Sequence, residues 1–248
     1  MMKDNKKTKA IKRALRDTFP IFAGYLVLGI GFGVMLAKRG FGTYWAAIMS
    51  CTMYAGSMQY VAVELLGDAV TVGYAVMMTL LVNIRHVFYG VSLIDKYRDA
   101  GWRRYYMMFA LTDETYSLVS TTEVPDDIDK NSYYFHVSLF DQIYWICGCC
   151  IGALMGNLIE FNSAGIEYAM TALFVCIFAD QWLSVGGRKL LSGKHISAMV
   201  GVGATLVSLI VCNILGTEYF LIPSMIIILV SLILLRPVLD RREDNNAK

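Results

Sequence analysis

Charge is scarce in this chain of 248 residues. Asp, Glu, Lys and Arg make up 17% of it, against about a quarter in soluble domains. The charge is missing in blocks: residues 19–37, 45–63, 69–84, 142–159 and 196–217 hold none. Uncharged apolar runs of about 18 or more residues read as membrane-spanning helices. With 56% hydrophobic residues and a mean hydropathy of +0.52, an ordinary soluble enzyme, a secreted disulfide scaffold and a nucleic-acid-binding domain are excluded. Catalytic signatures are absent as well. There is no H-E-x-x-H, no G-x-S-x-G and no Walker A loop, so neither hydrolytic catalysis nor direct drive by ATP is expected.

The six cysteines (Cys51, Cys147, Cys149, Cys150, Cys176 and Cys212) all fall in apolar segments, where thiols behave as small hydrophobes. The cluster Cys147-Gly148-Cys149-Cys150 lacks a second ligand pair and a histidine within its span, so it reads as helix packing rather than a metal site. No metal and no cofactor are expected.

What is present is a polytopic membrane protein: an all-α transmembrane bundle of about seven or eight hydrophobic segments, with broken or re-entrant helices as an option. Candidate spans run over 19–37, 45–67, 69–94, 105–120, 133–158, 166–185, 196–215 and 219–235. Residues 1–18 form a basic segment, with seven Lys/Arg in the first 17 positions, and this end is expected in the cytoplasm. A signal-peptide reading fails because no small-x-small cleavage site follows. The membrane domain covers 19–235 and a polar cytoplasmic tail covers 236–248. No Pro/Ser-rich linker divides it.

Orientation poses a conflict. The N-terminus, the basic loops 95–104 and 186–195 and the basic tail should all be cytoplasmic. Yet three candidate spans separate the N-terminus from 95–104. Either the rule is broken there, or a segment dips in without crossing. The weakest spanners are 45–67, interrupted by Ala55-Gly56-Ser57 and Gln59, and the short, acidic 105–120. Glycines set helix contacts: Gly148, Gly152 and Gly156 make two G-x-x-x-G steps, and Gly29 and Gly33 another.

Three polar strings lie in apolar surroundings, where a charge costs about 2.5–3.5 kcal/mol at the bilayer centre. The first is Tyr54-Ala55-Gly56-Ser57-Met58-Gln59, read as a substrate-facing helix break or as a tight crossing bridged by one amide. The second, Asn83-Ile84-Arg85-His86-Val87-Phe88-Tyr89, puts Asn83 and His86 on one helical face. Arg85 lies about 200° from Asn83 and stacks with Tyr89. Either the helix unwinds there or Arg85 serves a different partner. Arginine's planar fork suits a carboxylate; His86 is a proton relay or a packed histidine. The third is Thr112-Asp113-Glu114-Thr115-Tyr116. Its adjacent acids cannot both face the interior of one straight helix, so one is expected to pair internally, with Arg85 a candidate, while the other lines a watery path. A surface helix with both acids wet is the alternative. His136, Asp141, Gln142 and the pair Asp180-Gln181 are lesser candidates, and Asp141 is either deep or interfacial beside Tyr144 and Trp145.

These strings in this order resemble the AzlC family, the large subunit of branched-chain amino acid exporters. The matching elements are Ala55–Gln59, Asn83–His86 and Thr112–Glu114, within about residues 16–185. The resemblance implies secondary transport of leucine, isoleucine or valine out of the cell, with a small hydrophobic AzlD-type partner. On that reading Arg85 pairs the substrate carboxylate, and Gln59 and Asn83 orient the polar end. Asp113 or Glu114 takes the ammonium group or a coupling proton, with His86 assisting. Tyr54, Ser57, Tyr89, Thr112, His136 and Asp141 stand behind them. A channel, an exporter of another solute and an intramembrane enzyme are the competing classes.

Overall fold

A computed structural model describes residues 2–67, 70–158 and 196–215, with single positions at 168, 175, 179, 227, 230, 231, 233 and 234. The chain divides into two compact units, Met1–Met170 and Thr171–Lys248. Most of candidate spans 166–185 and 219–235 lies outside the described residues, as do loop 186–195, Asp180, Gln181 and the tail. Every described element is helical, and no strand occurs among the described residues. In the second unit a 20-residue helix, Ile196–Leu215, matches the expected span over 196–215.

The first unit runs α1 (Met2–Asp17), α2 (Phe19–Lys38), α3 (Thr43–Thr52), α4 (Gly56–Gly67), α5 (Val72–Tyr97), a 3-10 turn at Arg98–Ala100, α6 (Arg103–Phe109), α7 (Asp113–Thr121) and α8 (Lys130–Leu158). Local chemistry sets the boundaries. Pro20 opens α2, where its missing N–H costs nothing. Gly40, at φ +87°, closes it: Gly40 N–H donates to Ala37 O and Phe41 N–H to Leu36 O, the two bonds of a Schellman cap. Thr71 caps α5 and Thr112 caps α7, each accepting from the backbone N–H three residues on at 3.3 Å.

Among the described residues three helices are long and apolar enough to cross a membrane: α2, α5 with its 3-10 extension, and α8. The expected spans 45–67 and 105–120 are each split in two. With 10 and 12 residues, α3 and α4 reach only about 15 and 18 Å, roughly half a bilayer core. The pieces α6 and α7 are shorter still.

The spine is α2 against α8, and glycine makes it close. A Cβ on Gly29 would lie 2.9 Å from Cys149 N, and one on Gly148 2.9 Å from Tyr25 O. Gly33 and Gly152 touch the opposing backbone even more tightly, at Cys149 and Ile30. Thus the two G-x-x-x-G patterns meet each other, and Cys149 is fully buried between them.

Two ends of the unit can be told apart by their contacts. At one end lie α1, the turn after α5 and the loop before α8. Lys9 pairs with Asp127 at 2.8 Å, Lys6 Nζ donates to Asp126 O, and Asn131 Nδ2 donates to Asp99 O. Ala10 and Ala14 share a buried cluster with Leu93, Tyr97 and Tyr133. So loop 95–104 sits at the same end as the N-terminus, and among the described residues the long helices between them are α2 and α5. At the other end, the last residue of α4 lies against Arg39, just past the end of α2. The broken pair α3–α4 therefore enters from that end and returns to it. The pair α6–α7 does the same from the N-terminal end, where Lys96 Nζ donates to Val119 O and Ser120 O.

Candidate functional site

The two helix breaks meet inside the first unit. The α3–α4 break holds Tyr54, a non-glycine residue at φ +30°, a strained conformation that persists only where surroundings enforce it. A Cβ on Gly56 would already stand 3.0 Å from the Trp145 ring, so the chain turns directly against α8. The α6–α7 break spans Ala110, Leu111 and Thr112, and Ala110 packs in the same cluster as Tyr25, Tyr54 and Trp145.

Arg85 joins the breaks. Its Nη1 lies 2.8 Å from Asp113 Oδ2 and its Nη2 donates to Ser57 Oγ at 2.5 Å, so it bridges the first turns of α7 and α4. Tyr89, one turn further along α5, donates to Asp113 Oδ1 at 2.8 Å and stacks on Tyr116. One carboxylate is thus gripped on both oxygens. The side chains of Arg85 and Asp113 are 27% and 16% exposed, which makes this a half-buried pair. The helix α5 runs unbroken through 83–89, so of the two accounts for Arg85 the separate-partner one holds. Arg85 and Tyr89 reach the same acid.

Glu114 points elsewhere. Tyr25, from α2, contacts Glu114 Oε2 at 2.8 Å and Thr112 Oγ1 at 2.5 Å. Thr112 contacts Thr115 Oγ1 at 3.0 Å, and Thr115 contacts Asp141 Oδ2 at 2.6 Å. The two adjacent acids can both turn inward because they occupy the first turn of a helix that starts at them, where acids also complement the helix dipole. Neither lies on a wet surface helix. Asp141 and Thr115 are fully buried within the protein. Gln59 is buried too, its Oε1 accepting from Trp145 Nε1 at 2.6 Å.

Among the polar atoms in this region without a hydrogen-bond partner among the described residues are Gln59 Nε2, Asn83 Oδ1 and Asp141 Oδ1. Buried polar groups are normally satisfied, so such atoms mark where another group can bind. His86 and His136 each bond within their own helix. His86 Nδ1 bonds to Asn83 O of its own helix and its ring meets Tyr89 edge-on. His136 Nδ1 bonds to Ser132 O on α8 at 2.6 Å. Among the described residues no group of three His, Cys, Asp or Glu could hold a metal ion.

Residues 20–159 match the family described as AzlC protein. The chain belongs to the AzlC family. Relatives extend beyond that segment. The "Branched-chain amino acid transport protein AzlC" of Bacillus subtilis is 40% identical over 94% of this chain and 88% of its own length. An "Uncharacterized membrane protein" of Haemophilus influenzae is 38% identical over 90% of this chain and 87% of its own. The "Inner membrane protein YgaZ" of Escherichia coli is 26% identical, covering 81% and 84%. No solved structure matches the chain.

Sequence reasoning missed Tyr25, Thr115, Trp145 and Tyr106 as members of the polar network. Tyr106 donates to Gln142 Oε1 at 2.7 Å. Tyr25 carried one readable signal: it is the sole hydroxyl in the uncharged stretch 19–37. Trp145, a neighbour that allows an interfacial reading of Asp141, is buried and bonded to Gln59.

Proposed function

We propose that this chain is a secondary transporter that exports branched-chain amino acids across the cytoplasmic membrane, and not an enzyme. The observation that carries the transport reading is the meeting of two broken helices, entering from opposite ends, at a polar junction inside an apolar bundle. Carrier sites are typically built where discontinuous helices expose backbone and polar groups near the midplane. The substrate class rests on the Bacillus relative, named as a branched-chain amino acid transport protein. The partner is a small hydrophobic subunit of the AzlD type, and transport is driven by coupling to a proton or another ion. The N-terminus and loop 95–104 face the cytoplasm, in keeping with their basic residues and their common end.

The cargo is a zwitterion, and the junction holds a matching pair. The carboxylate displaces Asp113 from Arg85 Nη1, while Asp113 and Glu114 receive the ammonium group. Gln59 Nε2 and Asn83 Oδ1 supply the open donor and acceptor. Exchange of this kind keeps Arg85 compensated at every stage, which a half-buried charge requires.

The first test is efflux of leucine and valine from preloaded cells lacking their own exporters, carrying this chain alone or with the small subunit. Saturable, stereoselective efflux that needs both chains is expected. Unchanged efflux with both chains inserted overturns the substrate assignment. For Arg85, R85Q should weaken cargo affinity about tenfold or more, since a hydrogen-bonded charge contact is worth about 1.5–3 kcal/mol. Lower protein yield with unchanged affinity of the surviving protein would restrict Arg85 to a structural pair.

A further inference from the structure

The hydroxyl chain between Glu114 and Asp141 has four links: Glu114–Tyr25 at 2.8 Å, Tyr25–Thr112 at 2.5 Å, Thr112–Thr115 at 3.0 Å and Thr115–Asp141 at 2.6 Å. Each link needs one hydrogen, and each hydroxyl supplies one. Tyr25, Thr112 and Thr115 therefore supply three hydrogens for four links. With both carboxylates ionised, Tyr25 donates to Glu114 and Thr115 to Asp141, and Thr112 has one hydrogen for its two neighbours. One link is then left with two lone pairs facing, either Tyr25–Thr112 at 2.5 Å or Thr112–Thr115 at 3.0 Å, although both separations belong to made O–H···O bonds. One additional proton repairs the chain, and it can do so from either end.

We propose that Glu114 and Asp141 hold a single proton between them and exchange it along the Tyr25–Thr112–Thr115 hydroxyls. With the proton on Glu114, its O–H donates to Tyr25, Tyr25 to Thr112, Thr112 to Thr115 and Thr115 to Asp141. Transfer breaks the O–H bond of Glu114 and of each hydroxyl in turn, and each hydroxyl oxygen gains a new one from its neighbour. Asp141 ends with the proton, and every link is reversed. No hydrogen is created or lost, and no oxygen is left without its donor. In both orientations Thr112 Oγ1 keeps one lone pair for the N–H of Thr115, so the cap of α7 survives the transfer.

The surroundings suit a shared proton. Asp141 is fully buried and its Oδ1 has no partner among the described residues. The other groups within electrostatic reach of the two acids are Tyr54 at the α3–α4 break, Tyr97 from α5, Tyr106 from α6 and the Arg85–Asp113 pair. Glu114 is thus the end of the chain next to the proposed cargo contacts, and Asp141 is the end set against α8. An ammonium group arriving at Glu114 favours its ionised form and sends the proton to Asp141. This deepens the coupling part of the function proposed above and rests on it for the cargo, but not for the proton itself.

The test uses full-length protein in lipid nanodiscs without cargo, so a failed efflux assay leaves it standing. Infrared spectra at neutral pH should show one protonated-carboxyl band. E114Q places an amide that donates permanently to Tyr25, and D141N places one that donates permanently to Thr115. Each supplies the fourth hydrogen, so each substitution alone should remove the whole band. Y25F cuts the chain, and in that background the two substitutions should cease to be equivalent. Should Y25F fail to fold, T115V cuts the next stretch with the same expectation. Absence of the band from the unmodified protein overturns the proposal. So does a band halved by each substitution, which would mean two independent acids, or one untouched by either.

Discussion

The α2–α8 seam and the junction of the broken helices lie along the same helix, α8, yet they are built on opposite principles. At the seam side chains are removed: glycine faces glycine and backbone touches backbone. At the junction the helices themselves are interrupted, and long polar side chains from α2, α5, α7 and α8 fill the gap with a network that stays incomplete. The difference teaches where rigidity and adaptability are placed. A dry, close-packed seam has one arrangement. A network with open donors and a reversible hydroxyl chain has several, and that is what a carrier must offer its cargo.

Breaking the seam should have the largest effect. G33V would drive a side chain into the backbone of Cys149 and Ala153, an overlap with no flexible neighbour to yield. A loss of about 3 kcal/mol or more is expected, read as little or no folded protein by size-exclusion chromatography. G24V is the matching control, because nothing lies within 4 Å of its added Cβ. Equal yields of the two variants would overturn the seam's role. Next comes the junction's ion pair. D113N keeps the shape and the acceptor for Tyr89 but leaves Arg85 without its countercharge, at a cost of about 3 kcal/mol. The double variant R85Q/D113N should regain most of that in thermal unfolding, because the charge is no longer stranded.

A smaller effect sharpens the contrast within the junction. W145F removes the donor to Gln59 Oε1 and leaves a buried amide with neither end satisfied. About 1–3 kcal/mol of destabilisation is expected, accompanied by a change in cargo affinity that seam variants of equal stability do not show. Loss of stability with no change in affinity would place Gln59 in the scaffold.

The seam was legible in the sequence and the junction only in pieces, for a physical reason. Glycine spacing is a local, periodic property, so Gly29, Gly33, Gly148, Gly152 and Gly156 announce their faces without the partner being known. The three polar strings were likewise visible as costly residues in apolar surroundings. The pairing of one acid with Arg85 was legible too, and Asp113 is that acid; that Ser57 joins them and that Tyr25 reaches Glu114 was not, because that depends on where neighbouring helices stop. The angular conflict between Arg85 and Asn83 looked like a problem for α5. It is resolved without unwinding α5, since the breaks lie in the helices around it and bring Ser57 and Asp113 to Arg85. The two acids posed the same kind of problem, solved by starting a helix at them. The crossing conflict over loop 95–104 has the same origin: α3–α4, the broken segment that precedes the loop, enters and returns to one end. Tyr25 stayed hidden because a tyrosine in an apolar span is ordinary until its hydroxyl is seen between two acids.

The wet end of the unit supplies the smallest effect and the cleanest contrast in pH. Lys9 Nζ sits 2.8 Å from Asp127, and its hydrogen bond holds the Asp127 carboxyl below the usual carboxylate range. A group whose folded value is depressed stabilises the fold above its unfolded value, about 3.9, and loses that contribution as the pH falls through the lower folded value. The pair is exposed, so its effect is slight and fades with salt. D127N should therefore speed tryptic cleavage of α1 modestly at neutral pH and low salt, and less at high salt. Amide exchange of α1, compared between the two proteins, should differ above about pH 4 and converge well below it. A difference that persists in acid would mean that Asp127 holds α1 by packing rather than by charge. The end of the unit would then be built like the seam and not like a solvated ion pair.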